Sequence, residues 1–275
     1  DGYFDNMNAF FGGNGFDIYD RGRGSILSDK INTKRYNIND DEVTFENAWG
    51  IADDDIYRKV LNVADEKAKS KQPFFAFVMS TSNHKPYTYE DGKIDIPSGS
   101  GRPGAIKYAD YAIGDFLAQA KKKPWFDNTV FVFIADHCAS SAGKDAIDVK
   151  NHHIPAFIYN LKSHQNINVS KEVAQIDIFP TLFSLLNWKY ISQFYGKDIF
   201  DPLYQSRSFM GTYIKLGMKK GNDVMILSDQ KKINQYKWLN QNLEESKIDS
   251  KFEHSIISNY QTADYLFSNK LLNEK

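Results

Sequence analysis

Two uninterrupted apolar runs in this chain each end in a polar group that contains a histidine. The first, Phe74 to Met79, runs into Ser80–Thr81–Ser82–Asn83–His84, and the second, Val130 to Ala135, runs into Asp136–His137–Cys138. Runs of this length, rich in Val, Ile and Phe, predict buried strands of the kind found in a parallel sheet covered on both faces. Between them a Gly- and Pro-rich loop, Asp91 to Gly104, leads into Ala105, Ile106, Tyr108, Ala109, Tyr111, Ala112, Phe116 and Leu117, with Lys121–Lys122–Lys123 closing the segment. That spacing predicts a helix with one apolar stripe. Strand, helix and strand in this order predict a right-handed βαβ crossover, which would place both polar strand ends on one edge of a single parallel sheet. Open α/β sheets hold their active sites outside that edge.

The flanking segments extend the pattern. Asp53–Asp54–Asp55 precede Ile56, Val60, Leu61 and Ala64 at helical spacing, and acids there suit the positive end of a helix dipole. A third apolar run, Ile154 to Tyr159, follows His152–His153, so these histidines sit at a strand entrance and reach the other polar ends only if the intervening loop folds back. Val173 to Leu186 predicts a short strand or turn and then a helix, with Asp177 as N-cap and Pro180 in the first turn. The opening stretch, Asp1 to Gly22, is loop-rich and aromatic. Its Gly12–Gly13–Asn14–Gly15 is followed by Phe16–Asp17 rather than the Lys-Ser or Lys-Thr of a P-loop, so turn chemistry accounts for the glycines. Beyond Ser206, Ser208–Gly217, Asn222–Leu227 and Lys232–Trp238 predict three short antiparallel strands, and a helix is expected from about Ser255 to Leu272. The expected organisation is an α/β body over residues 1–203, with a small sheet and terminal helix over 204–275 packed on it.

Bulk properties remove several classes. The 34 basic and 35 acidic residues leave a net charge of -1, which excludes an electrostatic footprint for nucleic acid. No apolar stretch approaches the roughly 20 residues of a membrane span. The 275 residues, 41% hydrophobic, suffice for one large domain. The single cysteine, Cys138, rules out an internal disulfide. A chain beginning at Asp1, without an initiator methionine or signal segment, reads as a fragment or a processed product.

The chemistry concentrates at the strand ends. Asp136 beside His137 offers one carboxylate and one imidazole, a donor set that suits Zn²⁺ or Mn²⁺ better than Ca²⁺. The competing reading makes Asp136 a cap and His137 a loop histidine. His84, His137 and His153 are three of only six histidines, and phosphoryl transfer needs such cationic or metal-binding groups to offset moving charge. Ser80, Ser82, Ser140 and Ser141 lie near these histidines and leave Ser-His-Asp catalysis open, although no Gly-x-Ser-x-Gly elbow is present.

Taken together, Phe4–Asp5–Asn6–Met7–Asn8, Phe10–Phe11–Gly12–Gly13–Asn14–Gly15–Phe16, Trp49–Gly50–Ile51–Ala52–Asp53, Ser82–Asn83–His84–Lys85–Pro86–Tyr87, Ile134–Ala135–Asp136–His137, His153–Ile154–Pro155 and Gln175–Ile176–Asp177 with Pro180–Thr181–Leu182 follow one another in a recognisable order. In that order the chain, to about Trp238, resembles lipoteichoic acid synthase-like proteins and phosphoglycerol transferases of the alkaline phosphatase and sulfatase superfamily. The resemblance implies an α/β three-layer fold of the alkaline phosphatase type without its first units, with a small antiparallel carboxyl-terminal sheet. It implies a divalent ion, Mn²⁺ or Zn²⁺, held in part by Asp136 and His137. It also implies head-group contacts from His84, His153, Asn83, Asp5 and Asn6, with Asp5 and Met7 replacing the Trp and Arg that grip phosphate in the lipoteichoic acid synthases. The acidic ligand and the Thr or Ser nucleophile would lie upstream of Asp1. The implied partners are a lipid phospho-head-group donor and a cell-envelope glycan or polymer acceptor. The implied location is periplasmic or extracytoplasmic, with transmembrane helices upstream. A sulfatase or phosphodiesterase and an inactive head-group-binding sensor are the alternatives.

Overall fold

The computed structural model describes residues 17–19, 35–71, 73–139, 146–162, 167–191, 194–269 and 271. The chain divides into two compact units, Asp1–Thr129 and Val130–Lys275.

In the first unit, strands β1 (Asp17–Tyr19), β2 (Arg35–Tyr36) and β5 (Ala76–Val78) form a parallel sheet in the order β2-β1-β5. A two-stranded hairpin, β3 (Glu46–Asn47) and β4 (Gly50–Ile51), leads directly into helix α1 (Asp53–Lys69). The helix starts at the acidic triplet, as the dipole argument expects, and buries Ile56, Val60, Leu61, Val63 and Ala64. Helix α2 (Arg102–Ala120) follows the Gly- and Pro-rich loop and packs on α1, with Tyr57 stacked on Phe116 at 5.1 Å. Gly104 is required in α2 because a Cβ there would stand 2.3 Å from the Tyr89 hydroxyl. Tyr89 is itself buried and stacks on Tyr108 at 4.8 Å.

The three acids do more than complement a dipole. Each anchors a different segment. Asp55 accepts from the Thr44 amide and hydroxyl, at 2.6 and 2.7 Å, and from the Phe45 amide. Asp54 accepts from the Tyr108 hydroxyl at 2.5 Å and pairs with Lys93 at 3.1 Å. Asp53 holds the loop after β5. Such buried carboxylates persist because hydrogen bonds replace the water they lose.

In the second unit, β6 (Phe131–Ile134) pairs with β7 (Ala156–Tyr159) in an antiparallel ladder, Ile134 opposite Ala156. This corrects the expectation of β5 and β6 as strands of one parallel sheet. Among the described residues β5 bonds to β1, and β6 bonds only to β7. The reason lies in the ambiguity of an apolar run, which reports burial but not strand direction or partner. β6 is also less buried than such a run predicts, being half-buried with Ile134 40% exposed.

The carboxyl-terminal part of this unit is a five-stranded antiparallel sheet, β12-β11-β10-β9-β8. Its strands are β8 (Ser208–Gly211), β9 (Leu216–Lys220), β10 (Asp223–Leu227), β11 (Ile233–Leu239) and β12 (Asn242–Ser246). The expected strand over 208–217 is thus two strands, split by a turn in which Thr212 N donates to Lys215 O at 2.9 Å. One set of sheet residues, Met210, Val224 and Ile226, packs with Ile147 and Val149. Another, Met218 and Met225, packs with Phe252 and Ile256 of helix α4 (Ser250–Ser268). That helix begins five residues earlier than expected because Asp249 caps it, accepting from Lys251 N at 2.8 Å and Phe252 N at 3.2 Å.

Asp177 does not act as an N-cap. Its backbone is helical and its side chain makes no cap bond to α3 (Ile178–Leu185). The carboxylate is fully buried and receives two bonds from Arg207, together with the amides of Ala174 and Lys197 and the Tyr204 hydroxyl. Burial alone raises such a carboxyl, but the Arg207 bonds and the two amides outweigh it and hold Asp177 below the usual carboxylate range. Gly196 makes this approach possible, because a Cβ there would lie 1.7 Å from the Ile176 carbonyl oxygen.

Candidate functional site

The sequence-selected residues fall into both units. His84 and Asn83 belong to the first, Asp136, His137 and His153 to the second. Asp5, Asn6 and the glycine cluster lie outside the described residues.

At the exit of β6 the side chains of Asp136 and His137 turn toward each other. The Asp136 Oδ1 accepts from the His137 amide at 2.8 Å, and Oδ2 lies 3.4 Å from His137 Nε2. His137 Nδ1 lies 2.7 Å from the Cys138 carbonyl oxygen. A carbonyl only accepts, so Nδ1 is the donor of this bond. A metal-ligating histidine commonly donates its other ring N–H in this way. Two tetrahedral donors, each about 2.0–2.2 Å from one ion, stand about 3.3–3.6 Å apart. The pair therefore fits two positions of a Zn²⁺ or Mn²⁺ shell in spacing and donor chemistry. Both side chains are accessible, 64% and 48% exposed. Among the described residues no group of three or more His, Cys, Asp or Glu is gathered to hold an ion.

Gln175 fixes this strand exit, and the sequence reading gave it no such role. Its Nε2 donates to the carbonyl oxygens of Ala135 at 2.7 Å and Asp136 at 2.9 Å. Gln175 opens the 3-10 turn Gln175–Asp177, so the Asp177–Arg207 pair ultimately holds the backbone that carries Asp136. The available signal was the Gln175–Ile176–Asp177 motif, which marks the segment without saying what it touches.

The antiparallel ladder also resolves the position of His153. Because β7 runs against β6, its entrance adjoins the β6 exit, and Ala135 N donates to Pro155 O at 3.1 Å to extend the register beyond Ile134. His153, two residues before Pro155, is exposed and begins the approach to that ladder. It is held by the turn Lys150–His152, where His153 N donates to Lys150 O at 3.3 Å.

In the first unit, His84 lies in a loop whose backbone Asp53 anchors. The Asp53 Oδ1 accepts from Thr81 N at 2.7 Å and Ser82 N at 2.9 Å, and Ser82 Oγ accepts from Asp53 N at 3.0 Å. His84 N then donates to Thr81 O, and His84 O accepts from Tyr87 N at 2.8 Å. The His84 ring stacks on Trp49, with centroids 4.1 Å apart and planes at 15°. Asn83 is exposed beside it.

Burial pushes the Asp53 carboxyl above its ordinary range, although the two amides pull it down. A folded pKa above the unfolded one means that this carboxyl's contribution to stability falls as pH rises from the ordinary carboxylate range toward the elevated value. Asp53→Asn keeps an Oδ1 acceptor for both amides and removes the buried charge. It should change stability by no more than about 1 kcal/mol at pH 7 and lose this pH slope, whereas Asp53→Ala, which strands two amides, should cost about 2–3 kcal/mol. Urea melts of both variants between pH 4 and 8 provide the comparison. An alanine variant as stable as the asparagine one would refute the anchoring role.

The described elements make an α/β protein whose chemistry-bearing residues gather at strand ends. In tertiary structure the chain is similar to an alkaline phosphatase superfamily protein from Vibrio parahaemolyticus, with a TM-score of 0.83 and 28% identity over 96% of this chain and 67% of that one. It shares its fold with a lipoteichoic acid synthase from Listeria monocytogenes, at a TM-score of 0.67 and 18% identity over 96% and 72% of the two chains. The alkaline phosphatase superfamily fold is thereby established.

Within that class the chain belongs to the Sulfatase family, whose profile matches residues 1–188. It is 28% identical to the lipoteichoic acid synthase of Staphylococcus saprophyticus over 170 residues, 55% of this chain and 25% of the relative. It is 29% identical to phosphoglycerol transferase I of Citrobacter koseri over 106 residues, 35% and 13% of the two chains. The chain thus matches about a quarter or less of the length of these curated relatives. Among its described residues no helix is long and apolar enough to cross a membrane.

Proposed function

We propose that this chain is the carboxyl-terminal part of the catalytic domain of a metal-dependent transferase. The enzyme moves phosphoglycerol, or a related phospho-head-group, from a lipid donor to a cell-envelope glycan or polymer outside the cytoplasm. The observation that carries the reading is the Asp136–His137 pair, oriented by the Cys138 carbonyl and clasped by Gln175, in a chain whose relatives are named for glycerophosphate chemistry.

In this reading Asp136 and His137 would hold a Mn²⁺ or Zn²⁺ ion, whose positive charge would lower the pKa of a hydroxyl nucleophile and offset charge on the phosphoryl oxygens. The nucleophile and the acidic ligand come from residues preceding Asp1. His84 and His153 donate to phosphate oxygens, the charge-assisted bonds that bind such groups best. Asn83 lies on the same loop as His84 and supplies amide donors, and the head-group roles of Asp5 and Asn6, outside the described residues, rest on the family resemblance alone. The 204–275 region is a packed appendage of the catalytic body.

Calorimetric titration of Mn²⁺ and Zn²⁺ into the purified chain tests the pair without needing turnover. Weak binding at one site is expected. Asp136→Ala and His137→Ala should each weaken it at least tenfold, while His84→Ala should leave it within twofold. Equal weakening by all three, or by none, would refute the assignment.

A further inference from the structure

We propose that Trp49 is the positioning residue that orients the His84 imidazole for phosphate, a role that rests on reading His84 as a head-group ligand. The loop carrying His84 is anchored through its backbone, by Asp53 at Thr81 and Ser82 and by the turn from His84 O to Tyr87 N. Backbone anchoring does not by itself set the two side-chain torsions of the imidazole. The Trp49 ring restrains them by stacking on the imidazole at 4.1 Å and 15°.

A stacking partner orients a ring only if its own position is fixed, and here it is. Trp49 lies in the turn of the β3–β4 hairpin, and its amide donates to Asn47 Oδ1 at 2.8 Å. The same Asn47 side chain donates through Nδ2 to the carbonyl oxygen and hydroxyl of Thr88, at 3.2 and 3.1 Å. Asn47 thus ties the turn that bears Trp49 to the segment that follows His84. Behind the turn, Ala52 N donates to Phe45 O at 3.0 Å and the chain enters α1. Trp49 remains 39% exposed, so it contributes less to the core than a buried tryptophan would. Aromatic pairs in offset or near-parallel contact carry a modest orienting energy beyond burial.

The test follows the His84 side-chain resonances of the 275-residue chain, assigned with His84→Gln, during titration with glycerol 3-phosphate. In the wild type the indole ring current should displace the His84 ring protons upfield, and the ester should shift them further. Trp49→Ala should abolish the upfield displacement and weaken ester binding about three- to tenfold, the range expected from an aromatic pair. Trp49→Phe should restore most of both. Asn47→Asp keeps the acceptor for Trp49 and loses the donor to Thr88, so it should weaken binding severalfold, and it carries the test if the alanine variant folds poorly. Unchanged ester affinity in Trp49→Ala or Asn47→Asp, with His84 still responding, would overturn the role of Trp49 alone. Absence of any His84 response in the wild type would overturn the head-group reading and this role with it.

Discussion

Replacing Asp177 with alanine should unfold the carboxyl-terminal unit at denaturant concentrations the wild type withstands, with a loss of about 3–5 kcal/mol. The carboxylate is the convergence point of a paired guanidinium, two amides and a phenol. Removing it leaves Arg207 largely buried, at 9% exposure, without its counter-charge. Removing one partner of a buried pair is costly mainly for that reason, whereas replacing both by apolar residues is often tolerated. Asp177→Leu with Arg207→Met should therefore cost less than either single alanine substitution. The wild-type contribution also depends on pH. Because the folded pKa is depressed, the stabilisation is present above the ordinary carboxylate range and is lost as pH falls through the folded value. Urea denaturation at pH 7 and pH 3.5 measures both effects. A loss below about 1 kcal/mol at pH 7 would be incompatible with the anchoring described. Gln175 shares a turn with Asp177, so metal affinity at Asp136 and His137 should weaken in variants that still fold.

The second large effect concerns turnover. The 275-residue chain by itself should not hydrolyse or transfer phosphodiesters with added Mn²⁺ or Zn²⁺, because its proposed roles are ligand and head-group binding without a nucleophile. A longer chain that carries the proposed nucleophile and acidic ligand should turn over. There Asp136→Ala should lower the rate on the order of a thousandfold, since a metal's stabilisation of transition-state charge is worth several kcal/mol. A chromogenic phosphodiester assay on both chains decides the matter. Metal-dependent turnover by the short chain, abolished by Asp136→Ala, would place the nucleophile within these residues.

Much of the local order was legible. The acidic triplet does start a helix, since three charges at a helix amino terminus have a local electrostatic advantage that needs no tertiary context. The Gly- and Pro-rich loop does lead into α2, which takes up its last three residues by starting at Arg102, with Pro103 at the second helical position. The alternation and turn signals beyond Ser206 identified an antiparallel sheet, although one strand was split by a turn at Thr212–Lys215 that composition did not mark. The Asp136–His137 pair was legible as two adjacent donors, but their facing each other at 3.4 Å was not, since successive side chains on extended backbone ordinarily point to opposite faces.

Partnerships across long sequence separations were not legible. Asp177 resembled an N-cap because Asp before an apolar helix usually is one, and only Arg207, thirty residues later, turns it into a buried anchor. The Val130–Ala135 run was compatible with either strand direction, and hydrogen bonding to Ala156–Tyr159 made it antiparallel. That pairing set the His153 entrance beside the Asp136 exit. Trp49 and Gln175 carried no chemical signal of their own, and their roles arise from the ring and the carbonyls they meet. The sequence by itself determined that a helix starts at the acidic triplet, which segments are apolar and which side chains offer carboxylate and imidazole donors, because propensity and donor type are properties of a few neighbouring residues. The tertiary structure alone decided strand direction, the burial of Asp53 and Asp177 and the orientation of His84 and His137, because those depend on which distant groups replace the water that each polar side chain gives up.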